Sequence, residues 1–428
     1  MKDGWHTKRF EDVLDIRNGK NQRDVESNNG IYPIYGSAGK PMGLATDYIC
    51  EAGTTIIGRK GTIDNPIYVE TRFWNVDTAF GLSAKPGLDP RFLNFFCQSY
   101  DFKSHNRGTT IPSLVKSDLL QISIPIPPLS EQQRIVGILN QAFAVLSTAK
   151  VNAEKNLQNA RALFEASLEA AVKGHLTREW RRGDTRIEDA GIDLARRLDD
   201  RRSLSKKRAK YEEPAKPVTS RPIDIPASWV LASPEEITSH IVDCPHTTPK
   251  WAESGALCLR TTNFRPGYLD LGTVQFVSEE TYQERILRLE PRSGDVVYSR
   301  EGGILGIACV IPPGMRTCMG QRMMLFRLDY ELALPTYFAA VLNSKLILTI
   351  VKRLTGGATA PHLNIRDIRT FPIPLPPMAE QRQIVAKLEA LSAETQRLEA
   401  IYREKITAIA DLKKSLLHQA FTGQLTAA

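Results

Sequence analysis

Residues Pro112–Val136 read PSLVKSDLLQISIPIPPLSEQQRIV, and residues Pro361–Val385 read PHLNIRDIRTFPIPLPPMAEQRQIV. The two stretches align without a gap at an offset of 249 residues, with 11 identities in 25 positions. The same offset carries Gly174-His-Leu-Thr177 onto Gly423-Gln-Leu-Thr426. Upstream, Gly53–Gly61 echoes Gly294–Gly302 at an offset of 241, so an indel of eight residues (249 minus 241) lies between the registers. Trp5 and Trp229 are placed to start the two copies. The chain therefore reads as one unit used twice, a variable globular half followed by a segment of fixed length. Solenoid repeats are modules of about 20–50 residues, far shorter than this one. Two-fold pseudo-symmetry is the reading that remains.

The fixed-length segments carry a helical pattern. Ile384, Leu388, Leu391, Thr395, Leu398, Tyr402, Lys405, Ile409, Leu412 and Leu416 step 4-3-4-3. The matching positions in the first copy are Ile135, Leu139, Ala142, Leu146, Ala149, Ala153, Asn156, Ala160, Leu163 and Ser167. A period of about 3.5 is that of a coiled-coil seam. One seam is bulky and the other rich in alanine, which favours the two packing against each other. The alternative is that each helix folds over its own globular half. Lys405 and Asn156 interrupt both seams at the same step, and a buried polar position there would fix register. Pro125-Ile-Pro-Pro128 and Pro374-Leu-Pro-Pro377 force an extended entry into each helix. Ser130 and Gln133 are spaced for a capping box that Ala379 removes from the second copy. Gly174 and Gly423 suit the left-handed C-terminal position. Rods of about 45 residues would span about 67 Å. If antiparallel, they would place one reader at each end of a spacer.

The segments between are mixed. β-Branched or aromatic runs at 54–57, 66–69, 295–298 and 306–311 alternate with turn residues, and helical patches fall near 90–100 and 334–354. The expected fold is α/β (α+β): two globular recognition domains separated by two long antiparallel coiled-coil helices. The expected boundaries are 1–128 and 227–377 for the domains, 129–177 and 378–428 for the helices, and 178–226 for a charged connector. That connector holds 14 Lys/Arg against 9 Asp/Glu between Arg178 and Pro222, and a helix is expected from about Ile187 to Tyr211. Its run Arg201–Arg208 is read first as a solvated face, with phosphate contact as the other reading.

Composition agrees but adds little. Lys+Arg 56 against Asp+Glu 48 leaves a net +8, basic enough to suggest a polyanionic partner. No run of 18 apolar residues and no signal-peptide core is present, so no membrane partner is expected and a cytoplasmic location is. Six cysteines at 50, 97, 244, 258, 309 and 318 follow no metal or disulfide spacing.

No catalytic motif stands out. Gly36-Ser-Ala-Gly-Lys40 lacks the spacing and Ser/Thr of a phosphate loop. Asp64-Asn-Pro-Ile-Tyr68 has Ile67 where an adenine-methyltransferase loop would have proline. Cys244-Pro-His246 offers two metal ligands with no third nearby. The chain is expected to catalyse nothing by itself and to bind no metal. The polar loops instead suit groove reading, because Arg pairs with guanine, Asn and Gln with adenine, and Lys and Thr with phosphates. In the first half the candidates are Lys20, Asn21, Arg23, Arg59, Lys60, Arg107, Thr109, Thr110 and Ser113. In the second they are Lys250, Arg260, Asn263, Arg300, Arg322, Arg353, Thr355, Thr359, His362, Asn364 and Arg366. Any one of these is more often a solvated loop residue. Their recurrence at equivalent places in both copies is what raises the clusters above that background.

The doubled Pro-x-Pro-Pro-x-x-Glu-Gln-x-x-Ile-Val motif, at Pro125–Val136 and Pro374–Val385, resembles the specificity (S) subunit of type I restriction-modification systems. Gly174-His-Leu-Thr-Arg-Glu-Trp-Arg181, Gly423–Thr426 and the connector 184–229 extend the resemblance over essentially the whole chain. The resemblance implies a non-catalytic subunit whose two target recognition domains each read half of a bipartite, asymmetric site in double-stranded DNA. It implies that the helices set the gap and dock two methyltransferase (M) subunits, which hold S-adenosylmethionine and methylate adenine. Restriction (R) subunits, with ATP and Mg, would supply cleavage. Helix pairing and docking are expected along Ile135, Leu139, Leu146, Leu163, Ile384, Leu388, Leu391, Leu398, Ile409 and Leu412. The readings set against this one are a self-contained modification or nuclease enzyme, and an assembly scaffold with no DNA role.

Overall fold

A computed structural model of the chain describes residues 4–183, 188–206, 212–357 and 361–426. The chain forms two compact units, residues 1–157 with 400–428, and residues 158–399. Each unit contains the same arrangement. In the first, an antiparallel sheet runs in the order Leu14–Asn18, Ala79–Ala84, Thr54–Gly58, Ile67–Val69. In the second the order is Thr238–Asp243, Met323–Leu328, Val296–Ser299, Ala308–Val310. Thr54–Gly58, Ile67–Val69, Val296–Ser299 and Ala308–Val310 are the runs that sequence pattern picked out, with ends moved by one or two residues; the other four strands were not singled out. Thr54–Gly58 and Val296–Ser299 are buried along their whole length, so they read as unbroken runs without alternation.

Beside each main sheet lies a second one. It comprises Pro41–Ala45, Tyr32–Tyr35 and Trp74–Asn75 in the first unit. In the second it comprises Trp251–Ala252, Phe276–Val277, Ala256–Leu259 and Thr317–Met319. A short antiparallel pair closes each domain at the root of its long helix: His6–Arg9 with Ser123–Ile126, and Val230–Ala232 with Ile373–Leu375. One core gathers around Phe10, Phe80, Phe92 and Phe102, the other around Tyr298, Phe326, Tyr337 and Phe338. The helical patch expected at 334–354 is two helices, Pro335–Leu342 and Lys345–Thr355. The chain breaks at Asn343, whose amide turns back to bond both backbone groups of Ala308.

The two long helices are Leu129–Val172 and Met378–Phe421, 44 residues each. Within each unit they run antiparallel. In the first unit, Lys413 Nζ lies 4.8 Å from the Phe143 ring centroid and Phe421 stacks edge-on against Phe92 and Phe96. In the second, Arg161 forms a two-pronged pair with Glu399. Both helices end on glycines in the left-handed region, Gly174 at φ +71° and Gly423 at φ +77°. After Gly174 the bonds His175 N–H to Ala170 O and Gly174 N–H to Ala171 O complete a Schellman end.

Three details of the helices depart from expectation. Leu129 and Met378 are already helical, so Ser130 sits inside the first turn and is not the N-cap. Asn156 and Lys405 are exposed; Leu157 and Ile406 take the half-buried positions instead. Leu163 and Leu412, expected on the seam, are 58% and 48% exposed; Phe164 is half-buried after the first, and after the second Lys413 stays exposed with its ammonium beside the Phe143 ring. The inward positions of the first helix thus run 135, 139, 142, 146, 149, 153, 157, 160, 164, 167 and 171, with two consecutive steps of four. Thirty-six residues over ten steps (171 minus 135) is the 3.6 period of a straight helix, so the strict heptad is broken once in each copy at the same place.

The quoted motif is a clasp at the root of each helix. Gln132, fully buried, accepts from Asp89 N–H at 2.7 Å and donates to Gly87 O and Pro127 O. Gln381 repeats every bond, accepting from Leu334 N–H at 2.9 Å and donating to Leu332 O and Pro376 O. Glu131 accepts from the Trp5 indole and the Thr426 hydroxyl. Glu380 accepts from the Trp229 indole at 2.8 Å and the Thr177 hydroxyl at 2.5 Å, and pairs with Arg181. Each glutamate ties together the domain's first strand, the start of one long helix and the end of the other.

The connector supplies two helices, Arg178–Gly183 and Ala190–Lys206. Ile187 and Tyr211, where one helix was expected to begin and end, lie outside the described residues. Arg197 and Arg201 both bind the buried Asp329, at 2.7 and 2.8 Å, and Arg202 pairs with Asp199 and Glu213. Arg197 and Arg201 are thus engaged at a buried carboxylate and Arg202 in surface ion pairs; Lys207 and Arg208 lie outside the described residues.

Candidate nucleic-acid interface

Loops from separate parts of the chain converge at one edge of each unit, at the end of the main sheet opposite the helix root. In the first unit the chain leaves the strand Leu14–Asn18, and the Gly19 and Lys20 amides bond Ala79 O and Asn75 O. Arg59 and Lys60 amides bond Thr78 O, which sets the second loop against the first. Gly61 N–H then bonds Pro112 O, and Leu114 N–H bonds Arg59 O at 2.8 Å. Arg107 N–H bonds Ser113 O, so the 106–113 loop completes the row. The sequence candidates Lys20, Asn21, Arg23, Arg59, Lys60, Arg107 and Ser113 are therefore neighbours, with Thr109 and Thr110 exposed in the last loop.

The second unit repeats the scaffold. Gly302 N–H bonds Pro361 O, Leu363 N–H bonds Arg300 O at 2.8 Å, and Arg300 N–H bonds Arg322 O. Lys60 bridges to Ser113, and in the same way Glu301 bridges to His362. Gln321 donates to His246 O, which draws in the loop carrying Lys250. Gly302 has φ +87°, and an added Cβ would sit 3.2 Å from the Arg322 guanidinium, so glycine is required there. Arg322 itself has φ +68°, the one non-glycine residue with positive φ among the described residues. Such a backbone costs about 1–2 kcal/mol and tends to be held at functional sites.

The side chains in equivalent places are used differently. Lys60 is exposed, and Arg59 is half-buried with its guanidinium at 3.3 Å from Asp77 O and 5.9 Å from the Phe80 ring centroid. Arg107 is exposed and pairs with Asp118. Arg300, the counterpart of Arg59, is buried. It makes a two-pronged pair with Asp243 at 2.8 and 3.0 Å and also meets Glu301. Burial disfavours its charge, but the hydrogen bonds and charge of Asp243 outweigh this and raise its pKa further. Asn263 is also buried, donating to Asp270 O and Thr273 O and accepting from Arg260 N–H. The expectation that Arg300 and Asn263 read bases is corrected by these contacts, which turn both side chains inward as loop anchors.

The other second-unit candidates have open heads. Lys250, Arg322, His362, Asn364 and Arg366 are exposed, as is Arg260, 5.8 Å from the Trp251 ring centroid. Arg353 is exposed on the helix Lys345–Thr355, and the Thr355 hydroxyl bonds back to Val351 O. Thr359 lies outside the described residues. His246 bonds Asp243 at 2.9 Å, and burial pushes the Cys244 thiol up, so the Cys-Pro-His pair is engaged in the fold. Among the described residues no three His, Cys, Asp or Glu side chains are grouped to hold a metal.

Sequence reasoning missed three participants. Ser37, from the segment dismissed as a failed phosphate loop, lies beside Gly61, and Lys40 in that loop is exposed. Thr78 is the carbonyl hinge between two loops and carries no pattern. Asp243 ends a strand, and only its pairing with a distant arginine marks it.

Residues 2–156 and 272–408 match the type I restriction modification DNA specificity domain, and the chain belongs to that family. It is a type I specificity subunit with DNA-recognition domains. It is 24% identical over 430 residues to the EcoDI specificity subunit of a type I restriction enzyme from Escherichia coli, covering 99% of this chain and 89% of that one. It is 22% identical over 452 residues to the MjaVIII specificity subunit from Methanocaldococcus jannaschii, covering 99% and 94%. A chain solved in a study of complex assembly and conformational transition of the type I R-M system covers 99% of both chains with a TM-score of 0.69 at 17% identity, a likeness of fold. Among the described residues no helix is long and apolar enough to cross a membrane.

Proposed function

We propose that this subunit reads a bipartite, asymmetric site in double-stranded DNA, one half with each recognition domain, and catalyses no reaction itself. The observation that carries the reading is the duplicated loop edge at one end of each main sheet, built on equivalent backbone bonds and filled with different side chains. Equal scaffolds with unequal contents suit two readers of unequal sequence. In the first reader, Lys20, Asn21, Arg23, Arg59, Lys60, Arg107, Thr109, Thr110 and Ser113 face the duplex. In the second, Lys250, Arg260, Arg322, Arg353, Thr355, Thr359, His362, Asn364 and Arg366 do so. The helices set the half-site gap and dock two methyltransferase subunits. Those partners hold S-adenosylmethionine and methylate adenine. The restriction subunits bring ATP, Mg and cleavage. The domain limits proposed are 1–128 and 227–377, with helical segments 129–177 and 378–428, a connector at 178–226, and action in the cytoplasm.

The test is a change of rod length. Removing seven residues from both helices shortens each by about 10 Å, or about 3 base pairs of DNA. Mapping methylated adenines in cells carrying the shortened subunit should show both half-sites unchanged and the gap reduced by about that number. An active complex with an unaltered gap would refute the spacer.

A further inference from the structure

The second unit carries a half-open apolar cleft of about 480 Å3 between the domain helix Pro335–Leu342, the long helices and the hairpin tip Pro266–Tyr268. Its wall includes Phe164, Leu168, Ala340, Val385, Leu388 and Ser392. The internal repeat explains why it is open. Gln132 bonds Asp89 and Gly87 as Gln381 bonds Leu334 and Leu332, which fixes an offset of 245 for the domain helices (334 minus 89). Ala340 therefore stands where the first unit has Phe95, and by the helix offset of 249 Ser392 stands where it has Phe143. In the first unit those two rings meet edge-to-face at 5.4 Å and fill the place. In the second unit both rings are missing at once, and a tyrosine-tipped hairpin leans over the gap.

We propose that this cleft is a binding site for a small uncharged aromatic molecule of one or two rings carrying an N–H or O–H donor. An aromatic occupant follows from the first unit, where the same frame is completed by two rings in contact. A donor follows from the rim, where Glu389, Gln396 and the Ser392 hydroxyl provide acceptors beside an otherwise apolar wall. The volume falls within the about 300–1,000 Å3 of ligand pockets, which are mostly apolar with a few polar groups. The site lies away from the loops proposed to read DNA, so occupancy stiffens the join between the second domain and its helices without touching base contacts.

Indole is the probe. Titrated by calorimetry into the full-length chain, it should bind at one site with a Kd of roughly 0.1–1 mM. Ser392→Phe and, separately, Ala340→Phe restore the rings of the first unit and should each weaken indole binding by at least about tenfold. Circular dichroism melts confirm that both variants fold. Absence of indole binding, or binding that neither variant alters, overturns the proposal. If indole does not bind but Ser392→Phe blocks recruitment of the methyltransferase subunit, the occupant is an aromatic side chain of that partner and the ligand site is likewise refuted.

Discussion

Replacing Gln381 by leucine tests whether the clasp holds a domain to its helix. The side chain is fully buried and makes three bonds, all to backbone: 2.9 Å from Leu334 N–H, 2.8 Å to Leu332 O and 2.9 Å to Pro376 O. Leucine has similar bulk and none of the polar atoms, so three backbone groups lose their partners in a dry site. Each orphaned group costs about 1–3 kcal/mol, and the leucine regains about 2 kcal/mol by apolar burial. The expected net loss is about 4 kcal/mol, and Gln132→Leu should match it because its three bonds are the same. Native-state hydrogen exchange read by mass spectrometry resolves where the loss falls. Gln381→Leu should lower protection in the strands of the second unit, and Gln132→Leu in those of the first. Gln133→Leu, an exposed change on the same turn, should alter protection by less than about 0.5 kcal/mol. Losses below about 1 kcal/mol for both buried variants would refute the clasp as the source of attachment.

Arg59 and Arg300 hold equivalent places but should fail differently. Arg300→Ala leaves the largely buried Asp243 with the exposed His246 as its remaining side-chain partner and should cost about 2–3 kcal/mol in urea denaturation, whereas Arg59→Ala should cost under about 1 kcal/mol and weaken DNA binding by the assembled complex. Equal stability losses would contradict the assignment of one as an anchor and the other as a reader. Lys60→Ala should flatten the slope of log affinity against log salt by about one, measured by fluorescence anisotropy, and an unchanged slope would remove Lys60 from phosphate contact. Asp329 gives a pH signature. Burial raises its pKa, but hydrogen bonds from Arg197 and Arg201 outweigh this and hold the carboxyl below its ordinary value. Its folded value lies under its unfolded one, so this stabilisation is present above about pH 4 and is lost as pH falls through the depressed folded value. Asp329→Asn should therefore lower second-unit stability at neutral pH and reduce its fall in acid; an acid transition identical to wild type would sink the linkage.

The repeat makes the architecture legible in the sequence, because two copies of one motif at a fixed offset demand two copies of one local structure. Strands such as Val296–Ser299 announced themselves by β-branched runs, and the helix ends by glycines 174 and 423. The seam was legible only in its first half. A heptad ruler placed Leu163 and Leu412 inward, but a straight helix drifts by about 20° per heptad against that ruler, and by about the fourth heptad Leu163 and Leu412 have rotated outward and Phe164 inward. Lys413 is a residue no hydrophobic pattern would nominate. Burial, with Lys150 nearby, lowers its pKa, and the Phe143 face lies beside its ammonium. The candidate readers were legible as clusters and not as individuals. Arg59 and Arg300 occur in similar glycine-bounded loops, and only the position of Asp243, 57 residues upstream of Arg300, separates an open head from a buried one. A long-range carboxylate leaves no local mark.

The clasp also accounts for why one part of each unit repeats and the rest does not. Gln132 and Gln381 bind backbone atoms alone, at Asp89 and Gly87 in one unit and at Leu334 and Leu332 in the other. Those residues share no side-chain chemistry, yet the amide and carbonyl they present are the same. A glutamine that recognises only backbone is indifferent to the sequence of the domain it holds. The glutamates do the complementary work, binding the fixed side chains Trp5 with Thr426, and Trp229 with Thr177. The root is thereby specified by a few invariant partners plus sequence-blind bonds, and the loop edge at the opposite end of the sheet can change every reading residue without disturbing the attachment. Arg300 shows the limit of that freedom. Once a loop residue is drawn into a buried pair, its change carries a folding cost as well as a recognition cost. Variation between readers is then easiest at Lys60 and His362, whose heads are exposed and whose backbone bonds already fix the loops.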